Sequence, residues 1–256
     1  MNQSVKNSPN FINPPINEVI FGVVIEPHTN IRIHHIGLLW EKFKKKYPNV
    51  EHAKPIMSGD NSLLVDLKTG YPLPRTWFVN KSGDQLVQYQ IDRFYYNWRH
   101  KNKSYPRYDT ISNNYFNVYK IMNEFYNENL LVDIKPIEYE LTYINHIKIS
   151  SSDETYNDIK NILNDYPWKE NSRFLHPPNR AGWKLEFNDS AMSGKLVINI
   201  KQGISLPDRE PLLIIELKVT GQNSNMKDWF EKAHHWIVNG FVDITNEDLQ
   251  KVWGKQ

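Results

Sequence analysis

The sequence predicts an α+β protein of two lobes, each with an antiparallel sheet. Apolar residues make up 39% of the 256 residues and aromatic residues 13%, which is ample material for packed cores. Strand-like alternation and helix-like spacing follow each other in the order β-α-β-β-α-β over residues 16–150. Three more strands and terminal helices follow over residues 151–256. We expect these two ranges to be the lobes, with separate sheets or one continuous sheet, behind a flexible N-terminus at residues 1–15.

The first lobe opens with a strand and a helix, each ended by a proline. In "INEVIFGVVIEP" (16–27) apolar side chains fall on both faces, as in a central strand. In "IRIHHIGLLWEKFKKKYP" (31–48) apolar residues recur at spacings of three and four, which predicts a helix. Residues 49–74 carry weak patterning with several Pro and Gly, so we expect a long loop there.

A hairpin, a second helix and a long strand complete the first lobe. The run "RTWFVN-KSGD-QLVQYQ" predicts a hairpin with Ser82 and Gly83 at its turn. Residues 107–130 have the apolar stripe of a helix, and residues 136–150 alternate as a strand with one wet side. The resulting β-α-β-β-α-β order is that of the ferredoxin-like fold.

The stretch "QIDRFYYNWRHKNK" (90–103) mixes aromatic and basic residues. The large residues occupy odd positions before Asp92 and even positions after it, a parity switch that a β-bulge produces. We therefore expect one bulged strand that buries the even-numbered aromatic residues and turns the odd-numbered residues outward. The alternative is a grip on single-stranded nucleic acid, in which rings stack on bases and cations line the backbone.

The second lobe is predicted from a short helix, three strands and a helical end. The run "SSDETYNDIKNIL" begins with a capping-box pattern from Ser151 to Glu154. A second capping-box pattern begins at Thr245, before a short helix that ends at Trp253. The three strands are expected at residues 183–188, 195–202 and 211–220.

Composition and motifs exclude several function classes. The net charge is +2, from 31 basic and 29 acidic residues, so no global field favours nucleic acid or membrane. The chain has no cysteine, which excludes disulfides and thiolate chemistry, and it has no phosphate-binding glycine loop. The longest apolar run, "PLLIIELKV", is too short to span a bilayer. The N-terminus lacks the apolar region of a signal peptide, so we expect a cytoplasmic protein.

Histidine pairs and one strand glutamate are the residues to weigh for catalysis or metal binding. Neighbouring residues on a helix point about 100° apart, so neither His34-His35 nor His234-His235 can chelate one ion from a single face. Glu216 lies in an apolar strand and would be an acid/base group if buried, or an ordinary surface residue if its face is wet. The sequence thus predicts no catalytic residue, metal ligand or cofactor.

Seven segments carry a resemblance to a known family. They are "NPPINEVIFGV", "PRTWFVN", "DRFYYNWR", "YPRY", "ELTYINHI", "AHHWIVNGFVDIT" and "WGK". The chain resembles a sporadically distributed, functionally uncharacterised bacterial family of similar length. The resemblance implies an accessory or defence gene, of the kind found in toxin–antitoxin systems. Six polar residues within these segments are the candidate binding residues: Arg93, Asn97, Arg99, Arg107, Asn145 and His146.

Three functions compete. The leading hypothesis is a non-catalytic binding or interaction protein, homodimeric and partnered by another protein, because open sheet edges serve readily for dimerisation. The second is a nucleic-acid-binding protein that uses the basic patch from Arg93 to Arg107. The third is an enzyme of unrecognised type with Glu216 or His146 in a cleft. The candidate binding residues have an equally simple structural interpretation, since buried polar groups in a bulged strand also need partners.

Overall fold

The computed structural model describes residues 8–57, 65–66, 68–101, 104–150, 155–165, 174–175, 178, 180–206 and 208–256. Over these residues the chain forms nine strands and five helices, which confirms the α+β class. The strands are β1 (Ile16–Ile25), β2 (Asn49–Ala53), β3 (Arg75–Val79), β4 (Gln85–Gln90), β5 (Arg93–Arg99), β6 (Pro136–Lys148), β7 (Gly182–Asp189), β8 (Gly194–Ile204) and β9 (Pro211–Gly221). The helices are α1 (Ile33–Phe43), α2 (Tyr108–Leu130), α3 (Thr155–Ile162), α4 (Met226–Ile244) and α5 (Glu247–Val252).

The strands form an antiparallel sheet in the order β2-β3-β4-β5-β1-β6-β9-β8-β7. The chain divides into two compact units. One, here called the middle unit, is Glu18–Leu141, and the other, the terminal unit, combines Met1–Asn17 with Thr142–Gln256.

In the middle unit the parity switch marks a tight hairpin. Residues 85–99 form β4 and β5, joined by the two-residue turn Ile91-Asp92, so the expected single bulged strand is wrong. Tyr89 lies directly opposite Phe94. Because opposed residues of antiparallel strands share a face, reversing the chain across two turn residues moves the core positions from odd to even numbers. The expected burial of the aromatic residues is confirmed: Phe94, Tyr96 and Trp98 are at most 3% exposed.

Helices α1 and α2 both pack on this aromatic face. The rings of Phe43 on α1 and Phe78 on β3 stack with centroids 5.8 Å apart. The ring centroids of Tyr115 on α2 and Phe21 on β1 are 5.2 Å apart. The helix stripe predicted from the spacing is buried, and each such side chain contributes roughly 1.5–3 kcal/mol.

A short edge strand, β2, lies within the expected long loop. It pairs with β3, with His52 opposite Thr76. Four of its five residues are exposed, so both faces are wet and no alternation marks the strand in the sequence.

The terminal unit contains the predicted meander β7–β8–β9 and the predicted terminal helices. Residues 10–13, within the segment expected to be flexible, make backbone hydrogen bonds to residues 253–256, and the Phe11 ring lies 6.1 Å from that of Phe241. Helix α5 is capped by Asn246, one residue after the predicted cap Thr245. The buried hydroxyl of Thr245 instead donates to the Phe241 carbonyl of α4. The capping box predicted at residues 151–154 lies outside the described residues.

Candidate functional site

Three of the six candidate residues lie on one face of the middle unit's sheet, opposite α1 and α2. Arg93, Asn97 and Arg99 occupy alternate positions of β5, so their side chains share this face. Strand register adds residues from β1, β3 and β4. We call this surface the polar face; it is formed by Glu18, Arg75, Trp77, Gln88, Gln90, Arg93, Tyr95, Asn97 and Arg99.

A chain of hydrogen bonds fixes the centre of the polar face. Asn97, only 1% exposed, accepts from Gln88 Nε2 at 2.8 Å and donates to Glu18 Oε1 at 2.7 Å. Arg99 Nε donates to the same Glu18 oxygen at 3.3 Å. Both functional groups of the Asn97 amide are therefore engaged, which sets its orientation. Asn97 was expected to face outward; it lies on the outward face but is buried within this network.

A second network surrounds Arg93. Its Nε and Nη2 donate to Asp92 Oδ2 at 3.0 and 2.7 Å, and Gln90 Nε2 donates to the other oxygen of Asp92 at 2.9 Å. Gln90 also pairs with the backbone of Ile56, accepting from its N–H and donating to its carbonyl, both at 2.8 Å. The charge of Arg93 is thus compensated within the protein, and the chain after β2 is held against the polar face.

Tyr95 lies flat on the polar face because the residue opposite it is Gly22. A Cβ built on Gly22 would overlap the ring at Cδ1 and Cε1. Burial raises the pKa of the Tyr95 hydroxyl, Glu140 raises it further, and Arg93 opposes this. Tyr95 thus links the Arg93 network to a buried carboxylate on β6.

Arg75 and Trp77 complete the polar face with donors that are not satisfied. The guanidinium carbons of Arg75 and Arg99 lie 5.3 and 5.1 Å from the centroid of Trp77, within cation–π range. Arg75 Nε and Trp77 Nε1 are buried, and neither has a hydrogen-bond acceptor among the residues that the structure describes. Across the described part of the chain, no carboxylate forms an ion pair with Arg75. Burial lowers the pKa of Arg75, Tyr95 opposes this, and the charge of Arg93 lowers it further.

The other three candidate residues lie elsewhere. Arg107 is exposed at the N-terminus of α2, with a left-handed φ of 72°. Asn145 and His146 belong to the terminal unit. Asn145 donates to the backbone oxygen of Ile215 at 3.2 Å, and burial lowers the pKa of His146. The structure therefore groups Arg93, Asn97 and Arg99 and leaves the other three apart. Sequence reasoning missed Glu18, Arg75 and Trp77, which only strand register could have placed.

The aromatic residues of the 90–103 stretch do not form an exposed stacking platform. Phe94 packs against Tyr119 of α2 and Trp98 against Tyr105, and Tyr95 is buried on the polar face. Two basic side chains of the stretch, Arg93 and Arg99, are paired with carboxylates, whereas Lys101 is exposed. Lys103 lies outside the described residues.

The remaining candidates for chemistry are in the terminal unit. Glu216 is half-buried on β9 opposite Asn199, whose Nδ2 donates to it at 3.3 Å. His234 Nδ1 lies 2.9 Å from the Tyr143 hydroxyl, and burial, aided by His235, lowers its pKa to about 4. The part of the chain that the structure describes contains no group of three or more His, Asp or Glu side chains suited to a metal ion.

A comparison with protein-family models and with curated proteins finds no match for this chain. Among the described residues, no helix combines the length and apolar character needed to cross a bilayer. With no matching family or relative to indicate a function, the polar face is the feature from which we infer one.

Proposed function

We propose that this protein is a non-catalytic binding protein whose polar face holds an oxyanion, a phosphate or carboxylate group of its ligand. One observation carries the proposal. Arg75 is a half-buried cation with no counter-ion among the described residues, beside a second orphan donor, Trp77 Nε1. Arg93 and Arg99, by contrast, already have their carboxylates.

The physical argument is the cost of these unsatisfied groups. A buried donor without an acceptor costs about 1–3 kcal/mol. An oxyanion that accepts from Arg75 and Trp77 would recover that cost. Arginine suits such a ligand, because its planar fork matches the geometry of carboxylate and phosphate. Arg99, held by Glu18 and close to the Trp77 ring, would add positive potential without new reorganisation.

The test measures thermal unfolding in buffers of equal ionic strength with chloride, inorganic phosphate or acetate. We expect phosphate or acetate to raise Tm relative to chloride; a ligand at 100 times its Kd stabilises by about 2.7 kcal/mol. Arg75→Gln should abolish the increase, and Trp77→Phe, which keeps the ring and removes the N–H, should reduce it. Removing the uncompensated charge should leave the unliganded Tm of Arg75→Gln unchanged or higher.

The matched control is Arg209→Gln, which removes the same charge from an exposed position in the terminal unit. It should keep the full response to the anion. Equal Tm values in all three buffers, or an undiminished response in Arg75→Gln, would contradict the proposal.

A nucleic-acid-binding function is the second candidate, favoured by the exposure of Lys101 and Arg107 beside this sheet. It predicts binding of a single-stranded oligonucleotide whose log affinity falls steeply with log salt. The double variant Lys101→Gln/Arg107→Gln should lower that slope. A response to inorganic phosphate without oligonucleotide binding would favour the small-ligand function.

The resemblance supports a proposal for the setting of this function. We propose a cytoplasmic accessory or defence protein that acts with another protein, as in toxin–antitoxin pairs.

We also propose that the middle unit has the ferredoxin-like fold. The strand order supports this, because α1 lies on the connection from β1 towards β4 with β5 between them, and α2 connects β5 to β6 with β1 between them. Strands β2 and β3 extend that arrangement beyond β4.

A further inference from the structure

Strand β7 ends the hydrogen-bonded order of the sheet. Within the described residues it pairs with β8 alone, so its outer edge faces no other described strand. Such an edge is a ready template for another strand. What it pairs with depends on the side chains that β7 presents on its two faces.

The apolar face of β7 continues a buried core face but is left partly uncovered. Leu185 lies opposite Ile198 and Phe187 opposite Leu196. The two β8 residues are at most 2% exposed, whereas Leu185 is 36% and Phe187 45% exposed. Helix α4 packs on the neighbouring strands, where Gly240 lies against Leu196 of β8 and Leu217 of β9. Large apolar groups at an open edge favour burial against a partner.

The order of residues on β7 is complementary to itself. The segment reads Trp183-Lys184-Leu185-Glu186-Phe187. We infer that β7 pairs with β7 of a second copy of this chain, antiparallel and with the two-fold axis at Leu185. In this register Leu185 lies opposite its own copy. Trp183 lies opposite Phe187 of the second copy on one face, and Lys184 opposite Glu186 on the other.

The charges select this register over its neighbours. A shift of the axis to residue 184 places Lys184 opposite Lys184, and a shift to residue 186 places Glu186 opposite Glu186. Like charges directly opposite are destabilising. An axis between two residues would set apolar side chains against charged ones on both faces. Within one chain Glu186 already contacts Lys184 and Lys195, and the dimer extends this into a ladder of alternating charge.

The pairing forms a closed dimer. A two-fold axis uses the same surface in both copies, so the outer edge of each β7 strand is paired and no further copy can add at this edge. This pairing involves only the terminal unit and does not require a ligand at the polar face.

Charge exchange tests the register in the full-length chain, by light scattering after size-exclusion chromatography over a wide concentration range. Wild type should be a dimer. Lys184→Glu and Glu186→Lys should each be monomeric, because each sets like charges opposite each other. The double variant Lys184→Glu/Glu186→Lys, and an equimolar mixture of the two single variants, should recover the dimer. Lys81→Glu, at an exposed turn of the β3–β4 hairpin, is the control and should remain dimeric.

Cysteine cross-linking tests the axis independently, because the natural chain has no cysteine. Leu185→Cys places two thiols opposite each other, with Cα atoms about 4.5–5.5 Å apart, which suits a disulfide. Phe187→Cys is the matched control, since its two thiols would lie four residues apart along the strands. We expect oxidation to join Leu185→Cys chains and not Phe187→Cys chains. A monomeric wild type, or charge variants that dimerise like wild type, would overturn the inference and leave the edge to another partner.

Discussion

Gly22 lies on the polar face of β1, directly under the ring of Tyr95. In Gly22→Ala the added methyl would lie closer than 3.0 Å to two ring carbons. The ring cannot move aside freely, because Tyr95 is only 6% exposed and its hydroxyl interacts with Glu140 and Arg93. Overpacking of this kind costs about 1–3 kcal/mol, so we expect Gly22→Ala to lower the free energy of unfolding by that amount.

The matched control is Gly37→Ala. Gly37 lies within α1, and a Cβ there meets nothing within 4 Å. Replacing a helical glycine by alanine gains about 0.5–1 kcal/mol, so the two substitutions should differ in sign. Urea unfolding followed by tryptophan fluorescence measures both.

A double-mutant cycle assigns the cost to the ring. In a Tyr95→Ala background the methyl has room, and the penalty of Gly22→Ala should disappear. An unchanged penalty in that background, or a Gly22→Ala variant within about 0.5 kcal/mol of wild type, would refute the proposed contact.

Two further predictions concern the terminal unit. The pKa of His234 is about 4 when folded against an ordinary value of 6.5, so the unfolded chain takes up the proton first as pH falls. The stabilisation is complete above pH 6.5 and is lost towards pH 4. Between pH 8 and pH 5 the free energy of unfolding of wild type should therefore fall by about 2 kcal/mol more than that of His234→Gln. The side chain of Asn225 caps α4 by accepting a hydrogen bond from the backbone amide of Asp228. Asn225→Ala should therefore lower the free energy of thermal unfolding by about 1 kcal/mol. Asn225→Ser, which keeps an acceptor, should lower it by much less. Equal losses for Ala and Ser would show that the cap is not the cause.

Local patterning predicted most elements because their periodicity is a property of neighbouring residues. The helical stripe of α2, the hairpin of β3 and β4, and the alternation of β6 were all read this way. Patterning failed to predict the structure where one pattern was consistent with two structures. The parity switch near Asp92 fits a bulge or a two-residue turn equally well, and only the pairing of β4 with β5 distinguishes them.

The candidate site was predicted in part. Alternation after the parity switch placed Asn97 and Arg99 on one face, but their surroundings depend on strands far apart in the chain. Glu18, the partner of both Asn97 and Arg99, is separated from them by 79 and 81 residues. That Arg75 meets no carboxylate among the described residues was likewise invisible in the sequence, because it depends on which side chains the strand register brings near.

By itself the sequence determined the class of fold, the helices and strands with clear periodicity, and the absence of cysteine chemistry. It also contained the self-complementary order of β7, since complementarity about Leu185 can be read from five consecutive residues. Only the tertiary structure decided that β7 lies at an edge, that polar side chains become a buried network, and that Arg75 meets no carboxylate among the described residues. The reason is physical: side-chain periodicity reflects backbone geometry over a few residues, whereas burial and charge pairing depend on which distant strands meet.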